Sequence, residues 1–247
     1  MKKIGLIPCR LESTRLPNKP IKIIEGLPMF VHVHKRASMS DLDEVYVCTD
    51  STKILEISNK YNINCIMTSS KNKNGTERCY EAATKLNLAP GTVIVDIQGD
   101  EPLVNPEHIN DLLKEFNKSK SEILVPYLES NDFKNKNIVK LVANKNSEVL
   151  YMSRFDIPFL FKAHDTIKKH YSIIAFTLGS LKKFSELAPS KLEIIEGIEL
   201  LRAIENKIKV STMRLIGETR AVDTYEDLKY VRNEMKFDNV FKLYNNK

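Results

Sequence analysis

Short apolar runs alternate with amphipathic segments along the first half of the chain. The apolar runs are rich in β-branched residues, which is typical of buried strands, and they cover residues 4–7, 45–49, 65–68 and 92–97. Helix-like segments lie between or after them, at residues 28–38, 51–61, from Thr76 onward and 105–117. Asn105 followed by Pro106 is a favourable helix start. This order predicts right-handed βαβ units and a largely parallel sheet.

The second half has a different pattern. Four strand-like runs follow one another with little helix between them, at residues 123–128, 138–143, 149–153 and 171–178. Four apolar side chains then share one face of a predicted helix, namely Ile194, Ile195, Ile198 and Leu201. A last strand at residues 210–215 leads to a helix that Thr224 and Asp227 open as a capping box. We therefore predict an α/β fold, with a mixed, mostly parallel sheet, helices on both faces and an added central sheet lobe.

Composition narrows the class of protein. The 247 residues can form one domain, 42% are hydrophobic and 28% are charged, as in ordinary globular proteins. The net charge is +6, but the basic residues are spread along the chain and form no continuous block, so we predict no nucleic-acid partner. No stretch approaches the roughly 20 apolar residues of a membrane span. Four cysteines without metal-type spacing predict reduced thiols and a cytoplasmic protein.

A basic loop follows the first apolar run. Arg10, Arg15 and Lys19 occur at short intervals, with the hydroxyl of Ser13 between them. Arginine offers two parallel donors to a phosphate and lysine offers a point charge, so the loop suits a triphosphate. It is neither a Walker A loop nor a dinucleotide fingerprint, because the required glycines are absent. A solvated basic turn is the open alternative.

Acidic side chains follow two other strand-like runs. Asp100 and Glu101 come after residues 92–97, and Asp223 comes after residues 210–215. Because strand ends of a parallel sheet converge at one edge, we expect Asp100 and Asp223 to meet. Two carboxylates with phosphate oxygens form a Mg²⁺ site. Taken singly, Asp223 is equally explained as a helix-dipole partner, and Glu101 as a turn residue before Pro102.

Two further features carry less information alone. Residues 75–78 form a glycine turn into a helix, which could present backbone donors to a base or ribose, or could be an ordinary helix start. His170 precedes an apolar strand, where a single histidine more often has a structural partner than a catalytic role. The other histidines have no metal-type spacing.

Seven ordered segments resemble the 3-deoxy-manno-octulosonate (Kdo) cytidylyltransferases. They read PCRLESTRLPNKP at residues 8–20, GLPMFVHV at 26–33, CTD at 48–50, NGTER at 74–78, IQGDEP at 97–102, SRFDIP at 153–158 and VDTYEDL at 222–228. The resemblance implies a nucleotidyltransferase-type, Rossmann-like fold. It also implies Mg²⁺-dependent transfer of CMP from CTP to a sugar acid for lipopolysaccharide or surface-polysaccharide biosynthesis.

The resemblance also implies roles for individual residues. Triphosphate and nucleotide contacts fall to Pro8, Arg10, Ser13, Arg15, Lys19 and Asp100, with Gly75, Thr76 and Arg78 on the cytidine side. Metal contacts fall to Asp100 and Asp223, and sugar contacts to Gln98, Glu101, Arg154 and His170. The catalytic set would be Arg10, Arg15, Lys19, Asp100 and Asp223. Residues 1–247 would form a single cytidylyltransferase domain, in which residues 123–178 add a sheet region for homodimerisation and the sugar side.

Departures from the family pattern cluster on the sugar side. Ser172 stands where glycine is usual, Ile174 where tyrosine is usual, and Leu200 where glutamine is usual. Exchanging a hydrogen-bonding side chain for an apolar one can change selectivity strongly. The sequence therefore leaves Kdo, 8-amino-Kdo and a nonulosonate-type acid open, and Ile174 and Leu200 lead us to expect that Kdo is used less well than a modified acid. A non-catalytic anion- or RNA-binding protein that uses the basic loop is the alternative from another class.

Overall fold

The structure is a computed structural model, which describes residues 1–13, 15–162 and 164–245. The chain divides into two compact units. One comprises Met1–Asn110 together with Thr219–Lys247, and the other comprises Asp111–Glu218.

The first unit begins with alternating strands and helices. Its strands are β1 (Lys3–Cys9), β2 (Ile23–Ile24), β3 (Leu27–Pro28), β4 (Glu44–Thr49), β5 (Cys65–Met67) and β6 (Val93–Ile97). Its helices are α1 (Met29–Ala37), α2 (Thr52–Lys60) and α3 (Gly75–Lys85), and the division between the units falls within α4 (Pro106–Ser119). The predicted helix start is confirmed, since Asn105 Oδ1 accepts a hydrogen bond from the backbone of Glu107 at 3.0 Å.

The main strands of the first unit form a parallel sheet in the order β5-β4-β1-β6. In its register, Ile4 of β1 lies between Glu44 of β4 and Ile94 of β6. From β1 the chain moves through α1 and α2 toward β5, and α3 then returns it to the opposite side of β1. Because such crossovers are right-handed, α1 and α2 cover one face and α3 covers the other. The predicted parallel sheet with helices on both faces is confirmed here.

The second unit contains the added sheet. Its strands are β7 (Ile123–Ser130), β8 (Lys140–Ala143), β9 (Val149–Ser153), β10 (Ile167–His170), β11 (Ile173–Thr177) and β12 (Val210–Arg214). Strand β7 is antiparallel to β10 and β11 and parallel to β12, while β10, β8 and β9 follow as antiparallel neighbours. This mixed arrangement confirms the predicted added sheet. The run predicted at 171–178 corresponds to β11, and strand β10 was not predicted.

The helices of the second unit correct one prediction. They are α5 (Leu178–Glu186), α6 (Lys191–Glu196) and α7 (Leu201–Glu205). The prediction of one helical face through Ile194, Ile195, Ile198 and Leu201 is wrong, because Gly197 ends α6 in the left-handed conformation at φ 63°. Ile194 and Ile195 are consequently 71% and 67% exposed.

The chain then returns to the first unit as α8 (Tyr225–Phe237) and α9 (Asn239–Asn245). The predicted capping box at Thr224 and Asp227 is confirmed. Side chains of α1 hold this end of the chain, since His32 Nδ1 lies 2.8 Å from the Tyr244 hydroxyl and Arg36 pairs with Asp238. None of the helices in the described part of the chain has the length and apolar character that a bilayer crossing requires.

Candidate active site

The carboxyl ends of β1 and β6 place two polar loops side by side in the first unit. These strands pair in parallel, and the chain order reverses between them. Ligands of open α/β sheets bind at such a reversal point, outside the carboxyl ends of the strands. Residues 10–19 leave β1 at this edge, and Gln98, Gly99 and Asp100 leave β6 there.

Gly99 lies close against the carboxyl end of β1. A Cβ atom added at Gly99 would lie 2.6 Å from Cys9 Sγ and 3.1 Å from the carbonyl oxygen of Pro8. A Cβ added at Gly75, the first residue of α3, would lie 3.2 Å from Pro8 Cγ and 3.5 Å from Gln98 Nε2. Glycine at position 99 is therefore a steric requirement, and the start of α3 packs against the end of β1 and against Gln98.

Lys19 joins the two predicted metal carboxylates. Its Nζ atom lies 2.6 Å from Asp100 Oδ2 and 3.1 Å from Asp223 Oδ1. Arg15 adds a contact of 3.0 Å from Nη2 to the same oxygen of Asp223. The side chain of Lys19 is 17% exposed and that of Arg15 is 54% exposed, so Lys19 forms the inner contact and Arg15 faces solvent.

The surroundings of Lys19 keep it charged. Burial is the largest single influence on its pKa and lowers it, because a low-dielectric environment disfavours the ammonium ion. The charges and hydrogen bonds of Asp100, followed by those of Asp223, together outweigh the effect of burial. The pKa of Lys19 is therefore raised. The site therefore pairs a permanent cation with two carboxylates.

A small apolar cluster explains why these segments meet. Leu16, which lies between Arg15 and Lys19, is buried together with Val222, which precedes Asp223. The same cluster includes Leu228 of α8 and Met29 of α1. Burying apolar side chains on both segments fixes the basic loop beside the start of α8. The sequence analysis did not predict this cluster. The apolar residue Leu16, between Arg15 and Lys19, could have indicated that the basic loop packs against the protein interior.

The convergence of Asp100 and Asp223 was predicted, but the reason given for it was wrong. Asp223 does not end a strand, since β12 stops at Arg214 and a loop leads from there to α8. The backbone N–H of Val222 instead donates to the carbonyl oxygen of Asp100 at 2.9 Å. The hydroxyl of Thr219 also donates to the carboxylate of Glu101.

Other predicted phosphate-binding residues lie in the same loop. Arg10 is exposed, and Ser13 Oγ accepts a hydrogen bond from the backbone N–H of Leu16 at 3.3 Å. Pro8 is half-buried beside Gly75. Thr14 belongs to the motif but lies outside the described residues. The structure thus places Arg10, Ser13, Arg15 and Lys19 on one loop, and their contacts to a nucleotide stay predictions.

The residues predicted for the cytidine side are held by hydrogen bonds and an ion pair within the protein. Thr76 is buried in α3, which Asn74 caps through a hydrogen bond from the backbone of Glu77. Arg78 is also buried; it donates to Thr68 Oγ1 at 2.6 Å and lies 3.2 Å from Asp50 Oδ2. Its guanidinium stabilises the junction of α3 with the ends of β4 and β5. A direct contact of Arg78 with a base stays a prediction.

The predicted sugar-side residues are distributed over both units. In the first unit, Gln98 Nε2 donates to Asp96 Oδ1 at 3.0 Å, and Glu101 is buried. In the second unit, Arg154 donates to the backbone carbonyls of Glu196, Gly197 and Lys136 at 3.0–3.2 Å. The bonds to Glu196 and Gly197 cap the carboxyl end of α6, and the bond to Lys136 ties Arg154 to the segment before β8. Sugar binding by Gln98, Glu101 and Arg154 stays a prediction.

His170 ends β10 in the second unit. Burial lowers the pKa of His170 to about 4, while a hydrogen bond with the backbone of Pro126 opposes this shift. Among the described residues, Nδ1 of His170 is buried without a hydrogen-bond partner. A neutral imidazole with an unused nitrogen can accept a hydrogen bond from a ligand hydroxyl, so the predicted sugar contact remains open.

The donor set fits Mg²⁺ only together with a phosphate ligand. In the part of the chain that the structure describes, no group of three or more His, Cys, Asp or Glu side chains is arranged to hold a metal ion. Mg²⁺ commonly binds through one or two carboxylates, waters and substrate phosphates. Asp100 and Asp223 already share one cation, Lys19, and they could share a divalent ion.

Comparisons with known proteins identify the family of this chain. The cytidylyltransferase family profile matches residues 4–211. The 3-deoxy-manno-octulosonate cytidylyltransferase of Thermodesulfovibrio yellowstonii is 39% identical over 244 residues, covering 92% of this chain and 96% of its own length. That of Lawsonia intracellularis is 40% identical over 234 residues, covering 92% of both chains. A solved CMP:2-keto-3-deoxy-manno-octonic acid synthetase complexed with CTP has a TM-score of 0.89 and 30% identity, covering 96% of this chain and 99% of that one. This chain belongs to the 3-deoxy-manno-octulosonate cytidylyltransferase family.

Proposed function

We propose that this protein transfers CMP from CTP to the anomeric 2-hydroxyl of Kdo and releases pyrophosphate, for lipopolysaccharide biosynthesis. The observation that carries the proposal is the contact of Lys19 with both Asp100 and Asp223, beside Arg15, at the reversal point of the sheet. Within a cytidylyltransferase family member, this set combines phosphate-binding cations with two carboxylates. A non-catalytic anion-binding protein would need the cations but neither carboxylate.

The chain's own residues have separable tasks in this reaction. The 2-hydroxyl oxygen attacks the α-phosphorus and gives up its proton to water as the bond to the pyrophosphate breaks, and the charges of Lys19 and Arg15 stabilise the leaving group. Arg10 and Ser13 extend the same phosphate-binding loop. Mg²⁺, held by Asp100 and Asp223 when bound, would supply Lewis-acid polarisation of phosphate oxygens. No covalent nucleophile is required.

Kdo is the favoured sugar acid because two of the three departures from the family pattern, Ile174 and Leu200, are buried. Ile174 in β11 is 8% exposed and Leu200 before α7 is 4% exposed. Apolar residues in such positions pack against the protein interior, which removes the reason to expect a modified acid. Gln98, Glu101, Arg154 and His170 are the residues that we propose for sugar contacts.

We expect CTP to be preferred over the other three nucleotides by at least about tenfold, or ~1.4 kcal/mol in transition-state binding. Pyrophosphate release should be measured with each nucleotide, Mg²⁺, and a panel of Kdo, 8-amino-Kdo and a nonulosonic acid. The proposal requires Kdo to be the best acceptor. Equal release with purine nucleotides would reject a cytidylyltransferase. Absence of turnover with weak binding to any polyanion would support an anion-binding protein instead.

We also infer that the two units serve one reaction as a single domain, and that the protein is a homodimer joined through residues 123–178. Three phenylalanines in one loop of this segment support the dimer, since Phe155, Phe159 and Phe161 are 75%, 83% and 90% exposed. Exposed apolar residues concentrated in this way commonly mark interfaces.

The homodimer predicts a specific hydrodynamic result. Sedimentation velocity of the wild type at micromolar concentration should give twice the monomer mass, and the double variant Phe159→Asp/Phe161→Asp should give the monomer mass. Phe237→Asp is the control, because Phe237 is equally exposed on α8 but lies outside this segment. A monomeric wild type would remove the dimer from the proposal.

We place the reaction in the cytoplasm, with no nucleic-acid or membrane partner. All four cysteines are free thiols, as in proteins of a reducing compartment. Fractionation of cells followed by immunoblotting tests the location, and recovery of the protein with the membrane fraction would count against it.

A further inference from the structure

The position of Lys19 suggests a role beyond phosphate binding. Its ammonium group lies between Asp100 Oδ2 and Asp223 Oδ1, at 2.6 Å and 3.1 Å. These are the carboxylates proposed above as ligands of the divalent ion. A cation bound directly to the same two oxygens would meet the charge of Lys19 at close range, which is strongly unfavourable in a partly buried site.

Lys19 is held in this position by its backbone on both sides. It begins a short 3₁₀ helix, Lys19–Ile21, in which Pro20 is buried, and the preceding Asn18 adopts a left-handed conformation at φ 56°. Leu16 anchors the loop three residues earlier in the apolar cluster with Val222. Lys19 is therefore presented to the carboxylates by a fixed segment.

The neighbouring cation is more exposed. Arg15 contacts Asp223, and 54% of its side chain is exposed, against 17% for Lys19. Solvent-exposed ion pairs contribute little and are easily exchanged. Lys19 is thus the more buried cation of the site, and it contacts both carboxylates.

We propose that Lys19 is an internal counter-ion that occupies the metal position while no nucleotide is bound, and that the triphosphate must draw it away before Mg²⁺ can bind. This inference rests on the proposed function for the roles of Asp100 and Asp223. Binding is then ordered, with the metal entering together with CTP or after it. The site would bind free divalent ions weakly, because an ammonium group already satisfies its carboxylates.

Metal binding without nucleotide tests this directly. Mn²⁺ is titrated into the purified protein in the absence of CTP, and the electron paramagnetic resonance signal of free Mn²⁺ is followed. The wild type and the charge-preserving Lys19→Arg variant should bind Mn²⁺ weakly. Lys19→Met should bind it with a dissociation constant at least about tenfold lower. Lys22→Met, which removes a lysine outside the carboxylate contact, should behave as the wild type does.

A second variant, Lys19→Gln, is measured in parallel, so that a folding defect in Lys19→Met does not decide the outcome. Thermal melts establish that each variant is folded. Binding of Mn²⁺ by the wild type as tightly as by both Lys19 variants would overturn the counter-ion role. Failure of both folded variants to bind Mn²⁺ would overturn it as well, and CTP turnover by the wild type in the same preparation would show that the proposed function survives.

Discussion

We expect Asp100→Asn and Asp223→Asn each to reduce turnover on the order of 10²–10⁴-fold while the protein stays folded. Asparagine keeps the shape of the side chain but removes a negative charge from the proposed Mg²⁺ site. Each variant still leaves Lys19 one carboxylate partner, because the wild type has two. Stability should therefore change little. Initial rates with saturating CTP, Mg²⁺ and Kdo, together with thermal melts, provide the measurement.

Asp111→Asn is the matched control for loss of one negative charge. Asp111 is half exposed and forms an ion pair with Lys114, at 3.4 Å and three residues along α4. Its substitution should leave turnover near the wild-type value. If a folded Asp100 or Asp223 variant also retained near wild-type turnover, that carboxylate would be a helix-start or loop residue and not a catalytic ligand.

The largest effect on stability should come from Arg202→Met. Arg202 of α7 is buried and donates to both carboxylate oxygens of Glu193 in α6, at 2.8 Å and 2.6 Å. Its guanidinium also lies 4.9 Å from the ring centroid of Phe184. Removing it leaves a buried carboxylate without its charged partner, which costs about 3–5 kcal/mol. Chemical denaturation should show this loss in the free energy of unfolding.

Two further variants separate this mechanism from general damage. The double variant Glu193→Gln/Arg202→Met removes both charges and should recover part of the lost stability, because no unpaired charge remains buried. Lys182→Met breaks an exposed pair with Glu186 in α5 and should cost less than about 1 kcal/mol. Equal losses for Arg202→Met and Lys182→Met would mean that the buried pair contributes no more than a surface pair.

The fold was predictable where local patterns determine structure. The apolar runs near residues 4–7 and 45–49 became β1 and β4, and Asn105 and Thr224 cap the helices that they were expected to open. These sequence signals depend on interactions between residues close in the chain, so tertiary packing does not change the structure that they predict. The family resemblance added the identity of the fold and the order of the site segments.

The region around Gly197 was not predictable from periodicity. A 3.6-residue repeat of apolar residues predicts which face of a helix is buried, but it does not predict where the helix ends. Helix α6 ends at Gly197, and the ion pair between Glu193 and Arg202 then holds α6 against α7. The pair joins residues nine apart, and neither residue looked special in the sequence because buried charges read as surface charges until their partner is known.

Site geometry was partly predictable for a similar reason. The chemistry of Arg15, Lys19, Asp100 and Asp223 could be anticipated from residue type and from the motifs. The apolar contact between Leu16 and Val222, which brings the segments together, joins residues more than two hundred positions apart. The carbonyl partners of Arg154 could not be foreseen either, because backbone acceptors leave no trace in a sequence.

The most direct test of the central claim is ³¹P nuclear magnetic resonance of a mixture of the purified protein, CTP, Mg²⁺ and Kdo. We predict that the three phosphate signals of CTP disappear while one phosphodiester signal and one pyrophosphate signal grow in equal molar amounts. Asp100→Asn should show neither signal in the time that the wild type needs to consume its CTP. Conversion of CTP to CMP or CDP at the same rate without Kdo, or no conversion with Kdo present, would contradict a Kdo cytidylyltransferase.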